Sequence, residues 1–111
     1  MTREIILGLD VGTSSTNSVI VDVSGKILGQ GSMAYDLLTP RPGWVEQNPE
    51  WYIDGVKNSA ALALKASGRL WSDVCGLSIT HQRLTCIPVD QDGNPLYSAI
   101  EIGRASCRER V

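Results

Sequence analysis

Three strand-like runs crowd the front of the chain: residues 4–9 (EIILGL), 18–23 (SVIVDV) and roughly 26–35 (KILGQGSMAY). They are rich in aliphatic or β-branched residues, and the second alternates in part, as a half-buried strand does. Only DVGTSSTN separates the first pair. The turn Asp22-Val23-Ser24-Gly25 separates the second, with glycine where a positive φ is easiest. Connections this short join antiparallel neighbours, whereas a parallel return needs about a dozen residues or more. The front of the chain therefore reads as a three-strand antiparallel meander.

Beyond it, Leu38–Pro49 holds Pro40, Pro42, Gly43 and Pro49, a density of breakers that predicts a loop over the surface, carrying Trp44. Asn48-Pro49-Glu50 is a helix start: an Asn cap, a proline whose missing N–H costs nothing at the first helical position, and an acid near the positive end of the dipole. The spacing predicts a helix over 49–67 with Ile53, Val56, Ala60, Ala63 and Leu64 on its core face, Lys57 and Lys65 off it, and Gly68 as C-terminal cap. Val74–Thr80 (VCGLSIT) is a nearly continuous apolar run, as for a strand covered on both faces. Residues 84–89 read as a further strand that Pro88 demotes to an edge, Asp90–Pro95 as a turn, and Leu96-Tyr97 as a return.

The order strand, strand, strand, helix, strand predicts an α/β fold: a mixed sheet with an antiparallel three-strand meander and a crossover helix returning to a strand parallel to the first. This is neither a Rossmann nor a P-loop order. With 111 residues, 42% hydrophobic and 20% charged, the composition suits one soluble domain with a modest core. Ten basic against twelve acidic side chains, with no run of one sign, exclude nucleic acid or an anionic membrane surface as the partner that charge would select. No segment reaches the roughly 18 apolar residues of a span, so the expected compartment is the cytoplasm. Cys75, Cys86 and Cys107 have neither an even count nor close spacing, which argues against a disulfide framework or a zinc site. Cys75 and Cys86 are expected to be buried thiols.

The residues that can carry chemistry sit between the first two strands. In Asp10-Val11-Gly12-Thr13-Ser14-Ser15-Thr16, Gly12 lets the backbone approach an anion. Thr13, Ser14 and Ser15 offer hydroxyl and N–H donors of the nest type. Asp10 offers a carboxylate to the water shell of Mg2+. A Gly-Thr-Ser-Ser run also makes an ordinary polar turn, and it fits neither G-x-x-x-x-G-K-S/T nor G-x-G-x-x-G. By itself the run leaves both readings open. His81, Gln82 and Arg83 end an apolar strand, where polar side chains commonly face a cleft, although a solvated loop has the same appearance. Trp44, Trp51 and Trp71 are read as core or lid rather than as a sugar platform.

The segment 101–111 (EIGRASCRERV) has no hydrophobic period of either kind. One back-translation begins GAGATCGGAAGAGCG and resembles a short-read sequencing adapter read in frame to a stop. Residues 101–111 are therefore expected to be an adapter-derived tail and are set aside from the fold. The domain proper is taken as residues 1–100.

Within it, LGLDVGTSSTNSVIVDVSGKIL, TPRPGWVEQNPEWYIDGV and GLSITHQRLTCIPVDQDGNPLYSAI occur in this order. Together they resemble the amino-terminal part of the FGGY carbohydrate kinases, the family of glycerol kinase, xylulokinase and gluconokinase, over essentially all of residues 4–100. The resemblance implies a ribonuclease-H-like, actin-like ATPase domain. It implies ATP and Mg2+ as cofactors and phosphoryl transfer to a hydroxyl of a sugar or polyol, with a homo-oligomeric parent enzyme allowed. It also implies that Asp10 acts on Mg2+ through water, that Gly12, Thr13, Ser14 and Ser15 form the first phosphate hairpin, and that Gln82 and Arg83 meet the sugar. The family's catalytic aspartate lies further along than residue 100, so no catalytic residue is assigned and this chain alone is expected to be inactive. Two positions depart from the pattern. Asn17 stands where many members have Lys or Arg, and Leu84 stands where glycerol kinases carry Glu, which disfavours glycerol and leaves a pentulose such as xylulose. The hairpin alone also suits an actin-like ATPase or binding module without a sugar, but Gly43–Glu46 and the His81–Arg83 strand end favour the kinase.

Overall fold

The computed structural model describes residues 4–83 and 85–101. Strands β1 (Ile5–Val11), β2 (Ser15–Asp22) and β3 (Ile27–Ala34) form the expected meander. β1 and β2 run antiparallel from Ile5 opposite Asp22 to Val11 opposite Thr16. Gly25 closes the next turn at φ 90°. There Asp22 Oδ1 accepts from the backbone N–H and hydroxyl of Ser24 and from the N–H of Lys26. The Ser24 hydroxyl, then the Lys26 amide, hold its carboxyl below the usual carboxylate range.

A two-residue strand β4 (Glu46–Gln47) precedes helix α1 (Pro49–Ser67). The helix begins where the capping chemistry requires, with Asn48 Oδ1 accepting from the Glu50 N–H at 3.0 Å. It ends at Gly68, which takes the left-handed conformation at φ 69°. A 3-10 turn (Trp71–Asp73) leads into β5 (Val74–His81), which lies parallel to β1, and the sheet order is β3-β2-β1-β5. A second small sheet, β4-β7-β6, is built from β4, β6 (Thr85–Cys86) and β7 (Ala99–Glu101).

The helix packs on β2 and β3 at unusually short range. A Cβ added to Gly29 would stand 2.2 Å from the Ala63 carbonyl oxygen, and one added to Gly31 would stand 2.2 Å from that of Ser59. The backbone of α1 therefore rests on the backbone of β3, with no side chain between them. Gly55 makes room for the Thr16 side chain, whose Oγ1 would lie 2.8 Å from an added Cβ, and the buried hydroxyls of Ser18 and Ser59 meet at 2.6 Å. Toward β1 the contact becomes aliphatic: Ile5, Leu7, Leu9 and Ile20 of the sheet pack with Ala60, Ala63 and Leu64 of the helix.

Several expectations are corrected. Ile53 is 57% exposed, because the buried stripe of α1 runs through Gly55, Ser59, Ala60, Ala63 and Leu64. β5 is an edge strand, not one covered on both faces. The helix lies mainly over β2 and β3; Val74 at the start of β5 still packs against the core, but Leu77 and Ile79 are 60% and 51% exposed. Cys75, on the same strand, and Cys86, in β6, are exposed, not buried thiols. The loop 38–49 is not wholly superficial: Leu38 bridges Glu46, and Val45, Glu46 and Gln47 are buried. Among the described residues of the expected strand over 84–89, only Thr85–Cys86 is strand, and the return comes at Ala99–Glu101 rather than at Leu96-Tyr97. Trp44 and Trp71 are exposed, whereas Trp51 is half-buried beside the end of β3.

Replacing Gly31 by alanine is expected to destabilise the protein by about 3 kcal/mol, since either the helix backbone or the strand must move. The midpoint of denaturant unfolding reads this directly, and an unchanged midpoint would show that α1 does not depend on that approach.

Candidate functional site

The β1–β2 hairpin turns at Thr13 and Ser14, closed by the Gly12 N–H donating to the Ser15 carbonyl at 2.9 Å. A Cβ on Gly12 would lie 3.2 Å from the same oxygen, tighter than ordinary contact. Each carbonyl of the turn is held by the protein. The Tyr35 hydroxyl donates to the Gly12 carbonyl and, at 3.1 Å, to that of Ser15. Gln47 Nε2 donates to the Thr13 carbonyl at 2.7 Å. The Tyr35 N–H donates to the Ser14 carbonyl at 3.1 Å. In a trans peptide the N–H points opposite to the preceding carbonyl. The amides of Thr13 and Ser14 are thus turned away from the side on which Tyr35 and Gln47 bind.

Behind the turn lies a compact polar cluster. Gln47 is fully buried, and its amide also donates to the Asp36 carbonyl at 3.0 Å. The Tyr52 hydroxyl lies 2.6 Å from Gln47 Oε1 and 2.8 Å from Glu101 Oε1. The Tyr35 and Tyr52 rings meet edge to face at 5.5 Å. Burial, and then the hydrogen bond to the Glu101 carboxylate, push the Tyr52 phenol above its usual range. Burial does the same for Tyr35.

Asp10, at the open end of β1, stands between Asn17 of β2 and Thr80 of β5 in register. The Thr80 hydroxyl donates to Asp10 Oδ1 at 2.8 Å, and Asn17 Nδ2 donates to the Ser15 hydroxyl at 3.2 Å. Asp10, Asn17, Ser78 and Thr80 line a shallow depression of about 250 Å³ on the sheet face away from α1. At the end of β5 the Gln82 N–H donates to the Val11 carbonyl at 2.9 Å, which fixes Gln82 beside the base of the hairpin. Arg83 follows in an exposed bend.

Residues 5–110 match the family model described as the amino-terminal domain of the FGGY family of carbohydrate kinases. The chain belongs to that family. A glycerol kinase from Thermococcus gammatolerans is 39% identical over 95 residues, which is 86% of this chain and 19% of the relative. A crystal structure of a xyloylose kinase from Brucella ovis superposes with a TM-score of 0.82 at 26% identity, covering 87% of this chain and 20% of that one. That of Plasmodium falciparum glycerol kinase with ADP superposes with a TM-score of 0.66 at 29% identity, over 87% of this chain and 20% of that one. The chain thus spans about one fifth of the length of the relatives it matches. The fold is the actin-like, ribonuclease-H-like one expected from the motifs.

For this FGGY domain the geometry brings Asp10, Gly12, Thr13, Ser14 and Ser15 together on one hairpin, with Gln82 at the adjoining strand end. Leu84 and residues 102–111 lie outside the described residues, and so does most of the tail reading. Glu101 is the last residue of β7 and is buried. Among the described residues no three His, Cys, Asp or Glu side chains cluster as a metal cage, and no helix is long and apolar enough to cross a membrane. A single carboxylate beside a hydroxylated hairpin nevertheless suits Mg2+, which keeps most of its waters. Sequence reasoning missed Tyr35, Gln47, Tyr52 and Thr80. Their roles depend on pairings across the sheet and on the loop before α1, which no local spacing announces.

Both raised phenols act as donors only while neutral, so their contribution is complete below the unfolded phenol pKa of about 10 and is lost as pH rises through the folded values. The unfolding midpoint of the native protein is expected to fall above pH 10, and to fall less steeply in the Tyr35→Phe, Tyr52→Phe double variant. Tyr35→Phe alone is expected to cost about 1–3 kcal/mol at neutral pH, because the Gly12 carbonyl loses its donor. Equal pH slopes for native and double variant would exclude Tyr35 and Tyr52 as the cause.

Proposed function

We propose that the chain is the front of an ATP-dependent sugar or polyol kinase, which transfers the γ-phosphoryl group of ATP to a substrate hydroxyl. The observation that carries this reading is the hairpin, whose carbonyls are all occupied by protein donors while the amides of Thr13 and Ser14 face the other way. Such a surface suits phosphate oxygens. Gly12, Thr13, Ser14 and Ser15 would hold the phosphates, and Asp10 would hold Mg2+ through its water shell. When bound, the metal supplies charge neutralisation of the phosphates. Gln82 and Arg83, at the strand end beside the hairpin, would bind and orient the sugar through hydrogen bonds.

Among substrates, a pentulose such as xylulose fits better than glycerol, because Leu84 brings no carboxylate to the position where glycerol kinases carry one. The match to solved kinases named for xylulose supports this, whereas the similar curated sequences are glycerol kinases. A homo-oligomeric, cytoplasmic parent enzyme accords with the reading. The 111-residue chain alone is expected to show no sugar-dependent ATP turnover, since phosphoryl transfer is mostly positioning and charge stabilisation within a closed cleft, and this chain spans only a fifth of its relatives. We further propose that residues 101–111 derive from a sequencing adapter, and resequencing the source DNA past the codon for Ile100 tests this.

With the full-length kinase, a panel of pentuloses, aldoses, gluconate and glycerol in a coupled ADP-release assay is expected to give a kcat/KM for one pentulose at least about tenfold above that for glycerol. Asp10→Ala is expected to lower kcat/KM about 100-fold or more and to change its Mg2+ dependence. Turnover with none of these substrates, or an unaltered Mg2+ profile in the variant, would overturn the respective assignment.

A further inference from the structure

We infer that Gln47 is a positioning residue for nucleotide binding: it locks the Thr13–Ser14 peptide so that an amide N–H, not a carbonyl oxygen, faces the phosphates. The inference rests on the kinase reading above and goes beyond it by placing the control of the hairpin in β4, just before α1 and more than thirty residues away.

A two-residue turn tip has few neighbours, and its middle peptide can rotate to interchange the directions of its carbonyl and N–H. One orientation presents a donor to an anion. The other presents an oxygen that repels it. Across the hairpin, the Ser14 and Ser15 carbonyls are fixed by backbone N–H groups. The Thr13 carbonyl instead takes a side-chain donor, Gln47 Nε2 at 2.7 Å. That amide is itself immobilised. It is fully buried, its second donor bond goes to the Asp36 carbonyl at 3.0 Å, and its oxygen accepts from the Tyr52 hydroxyl. Each polar site of Gln47 is thus engaged, and the bond to Thr13 cannot be released without leaving a buried donor unpaired. Tyr35 completes the clamp at Gly12 and Ser15 while its ring meets that of Tyr52 edge to face. Glu101 also touches Tyr52, but it falls in the segment read as adapter-derived and carries none of the argument.

The chemistry specifies glutamine. Leucine fills the same space without a donor. Glutamate keeps the size but, when ionised, sets a negative charge against the Thr13 and Asp36 carbonyls; when protonated it regains one donor.

The test uses the full-length kinase and its Gln47→Leu and Gln47→Glu variants, with MgATP and the preferred sugar. Expected are a rise of tenfold or more in KM for MgATP with KM for the sugar within twofold, and faster amide hydrogen exchange confined to residues 12–15. In Gln47→Glu the MgATP defect is expected to shrink as pH falls from 8 to 6, which a merely structural loss would not produce. If both KM values change together with global loss of exchange protection, Gln47 serves stability only and the inference is overturned. Unchanged exchange at residues 12–15 overturns the clamp itself. Local exchange that quickens while KM for MgATP stays constant overturns the positioning role and removes this hairpin from the phosphate site. Absence of nucleotide binding and turnover in the native full-length protein is separate: it rejects the kinase reading, and the inference with it.

Discussion

The close seating of α1 on β3 is the constraint from which the rest of the architecture follows. Gly29 and Gly31 leave no side chain between helix and strand, and Ser59, Ala60 and Ala63 answer them from the helix. A helix held at that distance fixes where its own first turn lies, and with it Asn48, Gln47 and Tyr52. The side chain that reaches the tip of the first hairpin is therefore placed by packing at the other end of the meander. Small residues here act as spacers of zero thickness, and their effect is felt in a polar cluster they do not touch.

That cluster shows why the hairpin is more than a turn. A short loop in water satisfies its carbonyls with solvent and can reorient. Here the Gly12, Thr13, Ser14 and Ser15 carbonyls are satisfied by Tyr35, Gln47 and Gly12, so the turn has a single electrostatic face. Asp10 stands below it with Thr80 and Asn17 on either side, an acid kept in place by the Thr80 hydroxyl and by strand register. Asn17 in turn donates to the Ser15 hydroxyl, which ties β2 to the turn it leaves.

The parts of the structure legible in the sequence are those whose causes are local. Asn48, Pro49 and Gly68 bound the helix where capping and the left-handed conformation demand, and the Asp22–Gly25 turn closes as its residues dictate. The run Asp10–Ser15 is legible as the end of one strand and the short turn into the next, with Gly12 in the turn. Burial was not. Ile53 has helical spacing but falls just off a stripe set by Gly55 and Ser59, residues too small or too polar to announce a core. Leu77 and Ile79 have the composition of a covered strand, yet coverage depends on what lies beside β5 and not on the strand itself. Gln47 and Tyr35 read as ordinary loop and strand-end residues, because their meaning exists only once strands far apart in the chain are aligned.

The parallel pairing of β1 with β5 has a consequence for how the site comes into being. Asp10 and Thr80 are 70 positions apart, whereas the two strands of the hairpin are joined by a turn of a few residues. Closing the larger loop has a greater entropic cost and a lower rate. The hairpin, and with it the donors for an anion, therefore assembles early and locally. The strand end that brings Gln82 beside it arrives late, carrying an exposed aliphatic edge that is open to incorrect partners until it docks. The hairpin and the strand end beside it thus mature at different times during folding, and the later of the two is the one exposed to misassembly.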